Sequence, residues 1–323
     1  MAELTMVQAI NQALDQEMAA DPSVIVMGED VGKDGGVFRV TDGLFDKYGE
    51  HRVMDTPLAE AGIVGTAMGM AIYGMKPVTE MQFFGFIYPA FQEIVSHISR
   101  IRTRSRGLYT CPMVIRTPYG IGIKALEHHS ESTEAYFVHT PGMKVVVPSS
   151  PYDAKGLMIA AIRDPDPVLF LEPSRLYRSL KQEVPEEEYV LPLGKAKIVK
   201  EGTDVTVVAW GSMLRIAMQA VAEHKEANAE VIDLRTLSPY DLDTILASVQ
   251  KTGRLVIVAE APRTAGLASD ISAQVAEKAL LSLKAPVERV TGFDIVPPLP
   301  MGEHLYMVNE KRIIQGIQKV MKF

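Results

Sequence analysis

Cysteine is almost absent from this sequence: Cys111 is the only one among 323 residues. A single thiol cannot form an internal disulfide, which excludes a disulfide-stapled scaffold and favours a reducing compartment. Positive charge is also in the minority, because 33 Lys and Arg face 40 Asp and Glu and the net charge is −7. Phosphate attraction needs a positive field, so the composition predicts no general affinity for nucleic acid.

Long apolar runs are missing as well. No stretch approaches the roughly 20 apolar residues that a transmembrane helix needs, so no membrane span is predicted. The first residues, MAELTMVQAINQALDQE, carry acids and amides where a signal peptide would be basic and then apolar. We therefore expect a cytoplasmic protein.

What the chain does contain is the composition of a packed globular protein, with 47% hydrophobic and 23% charged residues. Its length is about twice that of a typical domain and predicts two domains. Short apolar strands alternate with helical segments, a pattern that favours parallel sheets covered by helices on both faces. Strands are predicted at 24–27, 76–81, 113–116, 145–148, 168–172, 204–210, 230–234, 255–259 and 287–290, and helices at 6–18, 61–73, 91–101, 152–164 and from about Asn309.

The two strand–helix series are separated by residues 181–200, which have no sustained period and carry Pro185 and Pro192. Such a segment is typical of an extended linker. The predicted α/β domains are therefore residues 1–180 and 201–323.

One glycine-containing loop resembles a nucleotide-binding motif. Gly120–Ala125, GIGIKA, fits the pattern G-x-G-x-x-G/A and follows a predicted strand. The match is weak, because Pro118 intervenes, Ile121 is bulky, and no first βα unit surrounds the loop. A flexible loop near a site is the alternative interpretation.

Glu127–Glu131 is the densest cluster of titratable residues and contains His128 and His129. Adjacent histidines point in different directions and the pattern H-E-x-x-H is absent, so a zinc site is disfavoured. Either imidazole could act as a general acid or base near neutral pH. A solvated surface loop explains the same residues equally well.

Two further segments suit either a structural or a functional role. Thr56 and Pro57 predict a helix start with Glu60 in its first turn, where a carboxylate is favoured by the helix dipole. Residues 83–86 contain three phenylalanines, for which core packing is the default and a stacking platform for a flat cofactor is the alternative. The residues alone thus leave two classes open: an α/β enzyme or enzyme subunit, and a non-catalytic nucleotide-binding protein.

Several longer motifs resemble those of one family, in the same order. The motifs are GEDVG (28–32), GGVFRVT (35–41), DTPLAEAGIVG (55–65), EMQFFGFIYPA (80–90), HSES (129–132), PSSPYDAKGL (148–157) and AIRDPDPVLFLEP (161–173). With them the chain is similar, almost end to end, to the β subunits of the thiamine-diphosphate-dependent 2-oxo acid dehydrogenases. The stretches YTCPMVIRTPYG and IKALEHHSES favour pyruvate enzymes, with branched-chain 2-oxo acid enzymes as the alternative.

The resemblance implies two transketolase-like domains, a pyrimidine-binding domain followed by a transketolase C-terminal domain. It also implies a tetramer of two α and two β chains with thiamine diphosphate at each α/β interface. The strings G-D-G and N-N of the Mg²⁺-diphosphate motif do not occur here, in keeping with an α subunit that holds the metal. The complex would decarboxylate pyruvate and pass the acetyl group to the lipoyl group of dihydrolipoyl acetyltransferase.

Residue by residue, the resemblance assigns Glu60 to a hydrogen bond with the aminopyrimidine ring, whose imino tautomer it would stabilise. Phe86 is expected against that ring, with Leu58 and Gln82 lining the same pocket. His129 is expected to donate a proton when the lipoyl disulfide opens.

The resemblance further implies a structural K⁺ site. Oxygen ligands suit such a hard cation. The ligands would be main-chain carbonyl oxygens and two carboxylates, from Met113, Ala161, Ile162, Asp164 and Asp166. The second carboxylate departs from the family pattern, which often has asparagine at position 166.

Overall fold

The computed structural model describes residues 1–323, which form two compact units. The first comprises residues 1–119 and 136–193, and the second comprises residues 120–135 and 194–323. Residues 120–135 therefore belong with the second unit although they lie within the first half of the chain. None of the helices combines the length and the apolar character that crossing a bilayer requires.

The first unit is built on parallel strands. Six of them pair in the order β6-β7-β5-β4-β2-β3, and β1 pairs separately and antiparallel with β8. The strands are β1 (Ala2–Thr5), β2 (Val24–Gly28), β3 (Val53–Asp55), β4 (Lys76–Glu80), β5 (Val114–Tyr119), β6 (Lys144–Val146), β7 (Val168–Pro173) and β8 (Lys181–Val184). The helices are α1 (Met6–Ala20), α2 (Leu44–Tyr48), α3 (Glu60–Ile72), α4 (Phe91–Ser96), α5 (Ile101–Arg104), α6 (Ala135–Val138) and α7 (Pro151–Arg163).

Every residue of β2, β5 and β7 is buried, which explains why these strands read as continuous rather than alternating apolar runs. Helices α1 and α7 pack against each other and contribute to the same core. Within this sheet, β2, β3 and β4 end in register with one another.

The second unit has a five-stranded sheet in the order β14-β13-β10-β11-β9, in which only β9 runs antiparallel to its neighbour. The strands of this sheet are β9 (Lys197–Lys200), β10 (Val205–Ala209), β11 (Ala229–Asp233), β13 (Leu255–Val258) and β14 (Glu288–Val290), and the unit also contains the short strand β12 (Thr236–Ser238), which is not part of this sheet. Its helices are α8 (Ser212–Glu223), α9 (Leu242–Thr252), α10 (Leu267–Ala279), α11 (Glu303–Tyr306) and α12 (Glu310–Met321).

The single amphipathic helix predicted at 91–101 is wrong. The structure divides it into α4, a 3₁₀ turn at Ile98–Arg100 and α5. His97 leaves the helical conformation, with φ −123° and ψ −67°. The carbonyl oxygen of Val95 instead accepts bonds from the side chains of Ser99 and Arg100, and such bonds compete with helix hydrogen bonding.

The segment predicted as a linker, residues 181–200, contains β8 at its start and β9 at its end. Both strands are four residues long and carry charged residues, and they are too short to show an alternating pattern. Between them the chain is tied to the first unit, because buried Lys155 donates to the carbonyl oxygens of Pro185, Glu186 and Glu187. Burial lowers the pKa of Lys155.

Candidate active site

Three parallel strands of the first unit end at the same level, and the predicted site residues follow them. Gly28 at the end of β2 lies in register with Asp55 of β3 and with Glu80 of β4. Open α/β sheets bind their ligands beyond the carboxyl ends of the strands. Residues 29–30, 56–60 and 81–86 therefore continue from one edge of the sheet.

The chain approaches itself closely at this edge. A Cβ atom at Gly28 would lie 2.9 Å from the carbonyl oxygen of Glu80. A Cβ atom at Gly32 would lie 2.5 Å from Oδ2 of Asp55, whose Oδ1 accepts the Gly32 N–H at 2.6 Å. Glycine is therefore required at both positions of the GEDVG motif, and the loop after β2 is drawn onto β3.

Glu60 is the first residue of α3 and is half-buried. The predicted start at Thr56 and Pro57 is wrong, because α3 begins at Glu60 with Ala59 preceding it and no side-chain cap. The N–H of Thr56 instead donates to the carbonyl oxygen of Gly28 at 2.9 Å. This bond keeps residues 56–59 at the strand ends. Glu60 is then the only acidic residue in the first turn of α3, at the positive end of the helix dipole.

Two acids to which the family resemblance assigns no role lie near Glu60. Burial raises the pKa of nearly buried Glu29, and the negative charges of Glu60 and Asp30 raise it further. Oδ2 of Asp30 accepts a hydrogen bond from Nε2 of Gln82 at 3.0 Å. Three carboxylates and an amide thus converge on one sheet edge. The signal in the sequence was the acidic pair directly after the buried strand β2.

The three phenylalanines after β4 divide between the two predicted roles. Phe84 is buried and packs against Phe137 with the ring centroids 5.7 Å apart. Phe86 is half-buried and meets Phe83 edge to face at 5.8 Å. Leu58 is 79% exposed, an apolar side chain with no cover in this chain. Leu58, which precedes Glu60 in the chain, and Phe86, which follows it, therefore both have accessible apolar surface.

A buried charge network stands behind these residues and joins β4, β5 and β7. Arg116 donates from Nε and Nη2 to the two carboxylate oxygens of Glu172, both at 2.7 Å, and from Nη1 to Glu80. The hydroxyl of Tyr177 donates to Glu172 at 2.6 Å, and burial raises the pKa of that tyrosine. Bidentate charge-assisted bonds of this kind fix geometry, so the strand ends form a rigid base.

His129 belongs to the second unit, in a 3₁₀ turn at Glu127–His129. Its N–H donates to the carbonyl oxygen of Leu126 at 3.0 Å. The side chain of His129 is half-buried, whereas that of His128 is exposed. The two imidazoles therefore lie in different environments, as expected of neighbouring residues that point apart.

The loop that resembles a nucleotide-binding motif has its amides occupied. The N–H of Ile121 donates to Glu260, and those of Gly122 and Lys124 both donate to Oε1 of Glu303 at 3.0 Å. A phosphate would need these same N–H groups. The nucleotide-binding alternative is therefore disfavoured.

The carboxylates of the predicted K⁺ site already have cationic partners. Asp164 accepts two bonds from Nζ of Lys144, at 2.7 and 2.6 Å. Asp166 accepts a bond from Nε of Arg102 at 2.6 Å. The N–H of Asp166 also donates to Asp164 at 2.9 Å. Both carboxylates are thus neutralised within the chain.

The carbonyl groups of the same predicted site are partly engaged as well. The oxygen of Ala161 accepts the N–H of Asp164 at 3.3 Å, and that of Met113 accepts the N–H of Val168 at 3.0 Å. A carbonyl oxygen has two lone pairs and can accept a second partner. The residues therefore fit a K⁺ ion at their carbonyl oxygens and do not fit it at their carboxylates.

Comparison with known proteins gives two family matches that together span most of the chain. Residues 2–179 match the family described as "Transketolase, pyrimidine binding domain". Residues 194–313 match the family described as "Transketolase, C-terminal domain". The expected fold class, two transketolase-like α/β domains, is confirmed.

Full-length relatives are similar to this chain throughout. It is 56% identical over 324 residues to the pyruvate dehydrogenase E1 component subunit beta of Acholeplasma laidlawii, covering 100% of this chain and 99% of that one. It is 50% identical over 325 residues to the same subunit of Bacillus subtilis, with 100% of both chains covered. A solved structure titled "Split gene transketolase, inactive beta4 tetramer" has a TM-score of 0.81 at 23% identity, covers 99% of each chain, and supports the fold alone.

Proposed function

The chain belongs to the family of pyruvate dehydrogenase E1 component β subunits, and on that premise we propose how it takes part in the reaction. It acts as one subunit of an oxidoreductase, together with an α subunit. The pair decarboxylates pyruvate and passes the acetyl group to the lipoyl group of dihydrolipoyl acetyltransferase. The observation that carries the proposal is the gathering of Glu29, Asp30 and Glu60 at one sheet edge, beside half-buried Phe86.

This edge suits the aminopyrimidine end of thiamine diphosphate. Glu60 would hold and move a proton at a ring nitrogen, a task that a positioned carboxyl group can perform. Phe86 would offer an aromatic face to the ring, and Leu58 and Gln82 would line the same pocket. When bound, the cofactor supplies a thiazolium ring that accepts the electrons left by departing carbon dioxide. The Mg²⁺ of the diphosphate is assigned to the α subunit.

His129 is proposed to act in the second half of the reaction. Opening the lipoyl disulfide produces a thiolate, and an imidazolium can protonate it. His128, exposed and adjacent, has no part in this step.

The proposed assembly has two α and two β chains, with the lipoyl domain of dihydrolipoyl acetyltransferase as the second partner. We place it in the cytoplasm, without contacts to nucleic acid or membrane. The acidic composition supports the expected lack of nucleic-acid contacts.

K⁺ remains a prediction for residues 113 and 161–166. The carbonyl oxygens of Met113, Ala161 and Ile162 would be its ligands in this chain, because the carboxylates of Asp164 and Asp166 are already paired. No step of the reaction depends on this ion.

The substrate test compares two 2-oxo acids on one preparation of the reconstituted α/β complex. We expect kcat/KM for pyruvate to exceed that for 2-oxoisovalerate. Added methylenes in an apolar pocket are worth about 10- to 200-fold, so a ratio in that range is expected. A preference for 2-oxoisovalerate would overturn the pyruvate assignment and favour the branched-chain alternative.

A further inference from the structure

The segment that carries His129 is held at its glycine-rich end by two buried glutamates of the second unit. Glu303 is the first residue of α11 and is 6% exposed, and Glu260 lies just beyond β13 and is 3% exposed. One oxygen of Glu303 accepts both the Gly122 and the Lys124 N–H, each at 3.0 Å. Glu260 accepts the N–H of Ile121. Three amides within four residues thus face protein carboxylates.

The backbone of this segment is shaped for those contacts. Gly120, Gly122 and Lys124 have φ values of +87°, +115° and +57°. Left-handed residues interspersed with ordinary ones turn successive N–H groups to one side and form an anion-binding concavity. A Cβ atom at Gly120 would lie 2.9 Å from both carboxylate oxygens of Glu260. The glycine pattern that suggested a phosphate loop therefore fits a carboxylate of the same chain.

The electrostatics require these bonds. Burial, together with the charges of Glu260, Glu131 and Glu134, raises the pKa of Tyr306 to about 12, so several carboxylates gather here. A buried carboxylate is costly unless hydrogen bonds compensate it. Bonds from N–H groups to a carboxylate are about twice as strong as neutral ones. Separating the segment from Glu303 would leave a buried charge without its donors.

The contacts close a loop around the histidine turn. The N–H of Gly120 donates to the carbonyl oxygen of Glu131 at 3.1 Å, which joins the two ends of residues 120–131. Glu303 and Glu260 then fix the first half of that loop, and the turn with His129 occupies the second half. We propose that Glu303, assisted by Glu260, is a positioning residue that holds this loop so that His129 keeps a fixed place for proton donation. The functional part of this inference rests on the role proposed above for His129.

The test uses the full chain assembled with its α subunit and three variants of one residue. Glu303→Ala removes the acceptor, Glu303→Gln keeps a neutral oxygen at the same reach, and Glu303→Asp shortens the reach while keeping the charge. Glu277→Gln, on the exposed side of α10, is the matched control. The first measurement is hydrogen exchange of the peptide covering residues 120–126. The second is the KM and kcat for acetylation of a lipoyl domain, compared with decarboxylation in the presence of an artificial electron acceptor.

We expect Glu303→Ala to speed amide exchange in this peptide by about tenfold or more, the size of a lost bond to a charged group. Acetyl transfer should fall by a similar factor, mainly through a higher KM for the lipoyl domain, and much further than decarboxylation does. Glu303→Gln should recover most of both effects and Glu303→Asp little. The control should match the parent chain in every assay.

Unchanged amide exchange in Glu303→Ala and Glu303→Asp would overturn the proposal that Glu303 anchors the loop. Faster amide exchange with equal losses of acetyl transfer and decarboxylation would overturn the proposal that Glu303 positions His129. His129→Ala, measured alongside, decides the proposed function separately. If His129→Ala does not separate the half-reactions, the role of His129 fails, and the exchange result still decides whether Glu303 anchors the loop.

Discussion

Glu60 occupies a position that physical chemistry favours for two reasons at once. It begins α3 without a side-chain cap, so its carboxylate interacts with the unpaired N–H groups of the first turn. It also faces the edge of the sheet where ligands of such folds bind. Stabilisation by the helix dipole alone accounts for a glutamate at this position. A substitution is therefore the test of its proposed role in proton transfer.

Glu60→Gln separates the two roles, because an amide keeps the size of the side chain but cannot act as an acid. We expect decarboxylation by the assembled complex to fall by about 10²-fold or more, as when a general acid–base group is removed. The melting temperature should change little. Glu50→Gln, an exposed glutamate after α2, is the control. Near-parental activity of Glu60→Gln in a complete complex would refute its assignment.

Glu29 offers a pH-dependent test of the acidic cluster. Its pKa in the folded chain is raised by burial and by the charges of Glu60 and Asp30. The ionised form therefore opposes folding, and the folded chain loses stability as pH rises through the raised pKa. Glu29→Gln should increase the melting temperature by about 1–3 °C near pH 8. The gain should vanish as pH falls towards the unfolded pKa of about 4.3.

A constant difference between Glu29→Gln and the parent from pH 4.5 to 8 would contradict the charge argument. Glu50→Gln again serves as the exposed control and should show no pH-dependent gain.

The residues of the site differ in how far the sequence could reveal them. Only the resemblance to a family points to Glu60 and His129, since their local patterns admit purely structural explanations. Glu29 and Asp30 have a local signal, an acidic pair after a buried strand. Glu303 has none, because it lies 181 residues from Gly122, and no short-range periodicity reports a contact at that distance.

At the scale of elements, two cationic side chains from other parts of the first unit pair with the carboxylates of the loop between α7 and β7. Lys144 at the start of β6 pairs with Asp164 through two bonds, and Arg102 of α5 pairs with Asp166. Asp164 is only 13% exposed, so removing Lys144 leaves a nearly buried carboxylate without its ammonium group. The ammonium group of Lys144 therefore stabilises the loop as part of the chain itself.

Lys144→Met should lower the free energy of unfolding by about 1–2 kcal/mol, as expected for a lost hydrogen bond to a charged group. K⁺ bound at the carbonyl oxygens of this loop, as proposed above, should make the melting temperature of the parent chain higher in KCl than in NaCl at matched ionic strength. Lys278→Met, at an exposed position of α10, is the control. Equal melting temperatures of the parent chain in the two salts would contradict the proposed K⁺ site.

The regular elements were largely predictable, because burial on both faces gives parallel strands a distinct apolar signature. The misplaced elements have two different causes. Ser99 and Arg100 interrupt the helix predicted at 91–101 through local side-chain bonds to the carbonyl oxygen of Val95. Thr56 donates its N–H to Gly28 of a neighbouring strand rather than beginning α3, so a tertiary hydrogen bond overrode the local propensity there.

At the scale of the whole molecule, the proposed function makes this chain half of an active site. The proposed aminopyrimidine pocket consists of Leu58, Glu60, Gln82 and Phe86, and the chain lacks the G-D-G and N-N strings of the metal–diphosphate motif. Positioning of a cofactor by two chains makes activity depend on both, since a misplaced reacting group loses the advantage of orientation.

The most direct measurement of this dependence is pyruvate decarboxylation with thiamine diphosphate and Mg²⁺, in the presence of an artificial electron acceptor. The chain is assayed alone, the α subunit alone, and the two after mixing and co-purification. We predict no turnover above background for either chain alone and full turnover for the co-purified complex. Decarboxylation by the isolated chain, free of α subunit, would contradict the account.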